Sequence, residues 1–472
     1  MFPPLPTGAG APVAEGLWRR QDAARSVKPA TTARCSRLDP RGPLPPDVQL
    51  CHSVVPMRTT QAWSRLLMTA AGAAVAFSLA ACGGGHAPSG AKAPHGDLSN
   101  SSMDGGGTRS QAPPQAFAPE AIASFSGRWP RPTLRGGIAD FLTLGDRLAY
   151  TYDVEDVGIT AYRLDTGEIA WHKAVQDGDS VAQAPRLAGT AVVGAFGTST
   201  AGSGTSAGGH TVTVVAYDAA TGRQLWAREV EKGKGTSAAS PRVVGADDRR
   251  VLVSVSEEGY SQTPPMSALL DTRTGRVVWT DRDFDGIDLE KSVAVGTRDD
   301  GDFAGRSTAD GRRMWKRQLV TGEALTADPG PGLTLANGIG AGESRLVDPV
   351  TGKARLDMGD ATVRDCHYDG WTTTVCSGAD GSGSAAITAV DLPTGRVLWR
   401  LPDRTANRIA PEVTTAWHGV VYAEADAPMT LDARTGKDLR TDVGAAPSVV
   451  NHRFGLGYED TEGIVEVYRA KG

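Results

Sequence analysis

The chain has 472 residues, more than one average domain, and its 58 Gly and 29 Pro, with no sustained 3.6-residue periodicity, exclude a helical protein. Short Val, Leu, Tyr and Ala runs punctuated by Thr-Gly, Asp-Gly and Gly-Gly pairs read as strands and tight turns, so the expected class is all-β. The formal charge of −5 is uneven: residues 1–81 hold nine Lys/Arg and four Asp/Glu, or +5, which leaves −10 on residues 82–472. So acidic a body gains nothing from counterion release and is repelled by anionic head groups, which argues against a nucleic-acid partner and against membrane contact except through an anchor.

Residues 1–56 are rich in Pro, Ala and Arg and lack periodicity, so they are expected to be a disordered leader ahead of a true start at Met57. Residues 57–81 have the form of a secretion signal. Arg58 and Arg65 make a basic region, and the apolar run Leu66 to Ala81 is short and ends in small residues. The segment closes on Leu79-Ala80-Ala81-Cys82, which resembles the lipobox of bacterial lipoproteins and implies that Cys82 is lipidated. A plain cleaved signal with an incidental Cys, and an uncleaved anchor helix, are the other two readings. The expected location is the outer face of the cytoplasmic membrane. Residues 82–122 contain almost no large apolar side chain and read as a flexible tether.

From residue 123 onward one pattern recurs, cleanest in Ala216-Tyr-Asp218-Ala-Ala-Thr221-Gly222-Arg-Gln-Leu-Trp226. Aligned copies centre on Gly167, Gly222, Gly275, Gly311, Gly352, Gly395 and Gly436, at intervals of 55, 53, 36, 41, 43 and 41 residues. Periods near 40 residues with several short strands each mark propeller blades. Asp stands four residues before the Gly at 218, 271, 348, 391 and 432, where its side chain can cap backbone N–H groups while the Gly closes the hairpin. Trp stands four residues after it at Trp171, Trp226, Trp279, Trp315 and Trp399, placed to lie across the neighbouring blade. The fourth copy has Ser307 and Asp310 for Asp and Thr, the fifth Leu356 for Trp, and the seventh Arg440 there.

This motif resembles the tryptophan-docking repeat of the PQQ-type propellers, the family of quinoprotein dehydrogenases and of the BamB assembly lipoprotein. The resemblance covers residues 123–472 and implies one propeller of four-stranded antiparallel blades. After Gly436 three strands remain, and Ser124-Phe-Ser-Gly-Arg-Trp129 precedes the first repeat. Joining them closes an eighth blade, with Trp129 as its docking residue; seven blades is the alternative.

Among candidate sites, Cys366 and Cys376 flank nine residues that fit adjacent strands, and in an exported protein they are expected to form a disulfide rather than stay as buried thiols. Asp281, Asp283, Asp285 and Asp288 alternate around Gly286, the chemistry of a calcium loop, although Asp288 and Ser292 depart from the EF-hand pattern and a solvated acidic loop fits as well. Gly204-Thr-Ser206-Ala-Gly208 matches the nucleophile-elbow string but falls in a low-complexity stretch without the required strand–turn–helix. His172, His367, His418 and His452 are scattered and read as strand-face or rim residues.

The functional expectation is a non-catalytic scaffold. It would bind a protein or cell-wall partner on the loops of the second and third blades (about 197–210, 257–267 and 281–290), as a monomer, with no cofactor. A sensor or solute receptor with a ligand in the central channel is the alternative. The family resemblance also raises a PQQ-dependent dehydrogenase, but such enzymes carry a vicinal Cys–Cys pair, a calcium site beside the quinone and a catalytic Asp, none of which can be matched here.

Overall fold

Each repeat folds locally for the reason its residues suggest. In the second, the Asp218 carboxylate accepts the N–H of Thr221 at 2.9 Å and its O–H at 2.7 Å, while Gly222 donates back to the Asp218 carbonyl at 2.8 Å. Gly222 sits at φ +68°, a conformation that would strain any side chain. Asp271–Thr274, Asp391–Thr394 and Asp432–Thr435 repeat the turn with the same atoms. In the fourth copy Ser307 takes the Asp place, and the Gly311 N–H still reaches the Ser307 carbonyl.

The computed structural model describes residues 112–127 and 137–471, apart from 176–177, 179–180, 182, 206–207, 235–238, 258–263, 299–301, 319–322, 327–329, 339–343 and 460–462. The leader, the signal segment, most of the tether, Cys82, Trp129 and Ser206 lie outside the described residues.

The repeats build eight antiparallel sheets joined in a β-propeller. Seven are four-stranded and continuous in sequence, spanning 142–174, 186–234, 239–282, 284–318, 323–357, 362–401 and 412–441. The eighth combines Val449–Val450, Phe454–Glu459 and Ile464–Lys471 with two short N-terminal strands. Ser124 pairs with Glu466 and Phe125 with Val465, so the N-terminal strand completes the last blade and leaves that edge paired. Pairing also begins earlier than the expected domain start at residue 123. Ala116 pairs with Lys471 and Phe117 with Ala470, inside the stretch read as tether. The physical reason is one side chain: Phe117 is fully buried with Trp417, Tyr422, Val450 and Tyr468 between the seventh and eighth blades.

The apolar core is distributed along the seams. One cluster joins Val193, Val212 and Val214 of the second blade to Val253, Ala268 and Leu270 of the third. Another joins Phe454, Leu456 and Val465 of the eighth to Phe141, Leu142 and Leu144 of the first. A blade buries its faces only against its neighbours, so the ring stabilises as a whole.

Two further expectations change. Residues 281–290 are not a loop: Val277–Arg282 ends the third blade and Phe284–Leu289 begins the fourth, with Asp283 alone between them at φ +107°. The insertion at 197–210 is partly strand, because Ala191–Thr200 and Gly209–Asp218 run ten residues each against six in the first blade's corresponding pair. Four extra residues at about 3.3 Å each carry this hairpin some ~13 Å further.

Candidate functional site

Every described repeat tryptophan docks on the turn glycine of the following blade. A Cβ placed on Gly222 would stand 2.7 Å from the Trp171 ring, and on Gly275, 2.6 Å from Trp226. Gly311, Gly352 and Gly436 meet Trp279, Trp315 and Trp399 in the same way. Four of these indoles also donate to the carbonyl three residues before the glycine: Trp171 to Ala219, Trp226 to Thr272, Trp315 to Pro349 and Trp399 to Ala433, at 2.7–3.1 Å. Trp279 is the exception, with its Nε1 buried and unpartnered, and it faces the degenerate fourth turn.

Where the repeat lacks Trp, other groups take the seam. Arg355, beside Leu356, lies 3.6 Å from the Gly395 position and donates to the Pro393 carbonyl at 3.2 Å. Gly167 meets the main chain of Ser124, while Trp129, expected to dock there, lies outside the described residues. Between the seventh and eighth blades, where Arg440 replaces Trp, the wedge is Phe117, reinforced by the Tyr422 hydroxyl donating to the Pro114 carbonyl at 2.6 Å. No repeat position predicts Phe117; its signal is only a lone aromatic in an otherwise polar segment.

The acidic run does not converge on one point. Asp281 pairs with Arg306, Asp283 with Arg298 at 3.8 Å, and Asp285 with Arg242, while Ser254 also donates to Asp285. Asp288 accepts from Thr334 at 2.6 Å and Glu290 from the Gly332 N–H at 2.5 Å. Strand alternation sends successive carboxylates to different neighbours, so they tie the third, fourth and fifth blades together. Among the described residues no group of three His, Cys, Asp or Glu is placed to hold a metal.

Cys366 and Cys376 face each other across adjacent strands and form a disulfide. The histidines serve hairpins and seams, His452 of the eighth blade facing Asp146 of the first at 3.4 Å. His172 contacts Thr160 and Asp156, His367 contacts Asp365, and His418 stacks with its ring centroid 3.8 Å from Trp417 and 5.1 Å from Trp371. Beside this stack, the Asp369 carboxylate accepts three backbone N–H groups, from Trp371, Thr372 and Thr373, each at 2.9 Å. Burial nonetheless pushes its pKa up, the amide hydrogen bonds acting in the opposite direction.

A cleft of about 850 Å³ opens where the ring closes, lined by Ala112–Gln115, by hairpins of the first and eighth blades, and by Arg440 of the seventh. Its residues come from both ends of the chain, so no local sequence pattern marks it.

Residues 126–319 match the family model described as outer membrane protein assembly factor BamB. This agrees with the resemblance drawn from the tryptophan and glycine spacing. No curated protein matches the chain. Among solved structures, BamB from Moraxella catarrhalis is similar at 15% identity and a TM-score of 0.43, over 74% of this chain and 99% of that one. The computationally designed Ika8 protein gives 16%, 0.46, 74% and 99%. Quinohemoprotein alcohol dehydrogenase ADHIIG from Pseudomonas putida HK5 gives 12%, 0.44, 79% and 80%.

Proposed function

We propose that this protein is a lipid-anchored, extracytoplasmic scaffold whose propeller binds a protein or cell-wall partner and performs no chemistry. The observation that carries the reading is the match of residues 126–319 to the BamB family model, on a ring whose singled-out polar residues are engaged in holding blades together. The anchor rests on the Leu79–Cys82 sequence, and export agrees with the Cys366–Cys376 bridge. The binding surface is assigned to the projecting hairpin of the second blade together with the 257–265 connection of the third, which join the same pair of strands in adjacent blades.

The quinoprotein reading is disfavoured on sequence. Its resemblance implies adjacent cysteines, whereas Cys366 and Cys376 stand ten residues apart and bridge two strands. Incubating the purified protein with PQQ and calcium should give no bound-quinone spectrum; such a spectrum would overturn the non-catalytic assignment. For the anchor, Cys82→Ser should move the protein from membranes to the medium, and unchanged membrane retention would sink it. For the surface, crosslinking from native membranes is compared with and without residues 201–208 and 257–265. Loss of a specific partner on deletion is expected, and an identical partner set would refute the assignment.

A further inference from the structure

The closure cleft has a charge composition opposite to that of the molecule. Residues 82–472 sum to −10, yet the cleft is lined by Arg147, Arg163, Arg440, Arg453, Arg469 and Lys471 against a single carboxylate, Asp165. These cations do little for the fold. Among the described residues Arg163, Arg440, Arg469 and Lys471 make no ion pair, Arg147 reaches only Asp146 at 3.9 Å, and Arg453 Nε donates to His452 Nε2 at 2.8 Å. By contrast, Arg242, Arg298 and Arg306 each face a carboxylate, Asp285, Asp283 and Asp281 in turn. Like charges gathered without internal partners repel one another, and an anion that enters relieves the repulsion.

We infer that this cleft is a binding site for phosphate-bearing anions. Five guanidinium groups are planar forks that match phosphate oxygens two at a time, and several positive charges favour a ligand with more than one negative charge. The volume of about 850 Å³ admits more than a lone phosphate, such as a pyrophosphate or a phosphorylated head group. The site is not part of the repeat. It exists because the chain closes on itself, bringing Arg147 and Arg163 of the first blade next to Arg453, Arg469 and Lys471 of the last, with Arg440 standing where the motif has Trp. Ala112–Gln115 lines one wall of the cleft. On the lipoprotein reading, which this clause alone requires, a lipid phosphate is one source of the ligand; a free phosphorylated molecule is the other.

The test uses the chain carrying Cys82→Ser, purified after export, so that its outcome is independent of lipidation. Pyrophosphate binding is measured by calorimetry, and vesicle binding by co-sedimentation with phosphatidylglycerol or phosphatidylcholine. Pyrophosphate should bind, more weakly as salt rises. The triple variant Arg163→Ala/Arg440→Ala/Arg469→Ala should lose roughly tenfold or more in affinity. A control triple, Arg223→Ala/Arg273→Ala/Arg312→Ala, removes the same net charge from three exposed turn residues and should leave affinity unchanged. Circular dichroism of both variants establishes that they fold. Preference for phosphatidylglycerol that is lost in the cleft variant assigns the ligand to a head group, and pyrophosphate binding without it assigns a free phosphorylated ligand. Absence of binding to pyrophosphate and to both vesicles, or equal weakening in the two triple variants, overturns the proposal.

Discussion

The unpartnered indole of Trp279 allows a sharp test of how the seams are held. Trp226 and Trp279 are equally buried and dock on equivalent glycines, but only Trp226 donates a hydrogen bond, to the Thr272 carbonyl at 2.7 Å. Burying ~200 Å² of indole at ~25 cal/mol/Å² is worth about 5 kcal/mol, so Trp→Ala should cost about 3–5 kcal/mol at either site. Trp→Phe keeps most of the ring and separates the two. Trp226→Phe strands a buried carbonyl, which costs about 1–3 kcal/mol beyond the loss of ring area. Trp279→Phe removes an N–H that had no acceptor, so the relieved desolvation offsets part of the lost area and the net cost should be about 0–1 kcal/mol. Denaturant unfolding followed by far-ultraviolet circular dichroism reads the difference, expected at about 1–2 kcal/mol in favour of Trp279→Phe. Equal costs, or a larger one at Trp279, would refute the account of the seam.

Gly275→Ala should destabilise more than Gly395→Ala by about 1–3 kcal/mol, since both sit at φ +66° but only the former would drive a Cβ to 2.6 Å from an indole; the same unfolding midpoints check it. Replacing Cys366 and Cys376 with Ala should cost about 2.5 kcal/mol on the chain-entropy model, and peptide mapping without reductant should recover the bridged pair. Asp281→Ala leaves the largely buried Arg306 guanidinium without its partner and should cost about 2–3 kcal/mol, while chelating calcium should leave the wild-type melting temperature where it was. Hydrogen bonds from Thr221 and Thr274 hold Asp218 and Asp271 below the ordinary carboxylate pKa. A depressed folded pKa gives stability that is present above the unfolded value of 3.8 and lost as pH falls through the folded one, so the melting temperature should drop on that acid limb. Asp218→Asn with Asp271→Asn should flatten the drop. Asp369 has the opposite sign: its raised pKa favours the neutral form, so Asp369→Asn, which keeps the oxygen acceptor, should be tolerated best at neutral pH, whereas Asp369→Ala strands three N–H groups.

Local interactions were written in the sequence wherever a few neighbouring residues suffice. Asp218, Thr221 and Gly222 close a hairpin by contacts within four residues, and repetition of that unit announced both the blade and the docking role of Trp226 and its counterparts. The opposition of Cys366 and Cys376 followed from the same logic of adjacent strands. Spacing along a strand does not tell which neighbour each carboxylate meets: Asp281, Asp285 and Asp288 find Arg306, Arg242 and Thr334 from three different sheets.

Ring closure belonged to tertiary structure alone. A sequence can show that a strand is missing from the last blade, but not that Phe117 is the wedge of that seam or that the Ser124 backbone stands against Gly167. The cationic cleft is of the same kind, because net charge is a sum over the chain whereas electrostatic potential depends on where the charges stand. Residues 147 and 469 are distant in sequence and line one cavity only because the last blade borrows its outer strands from the first residues of the fold.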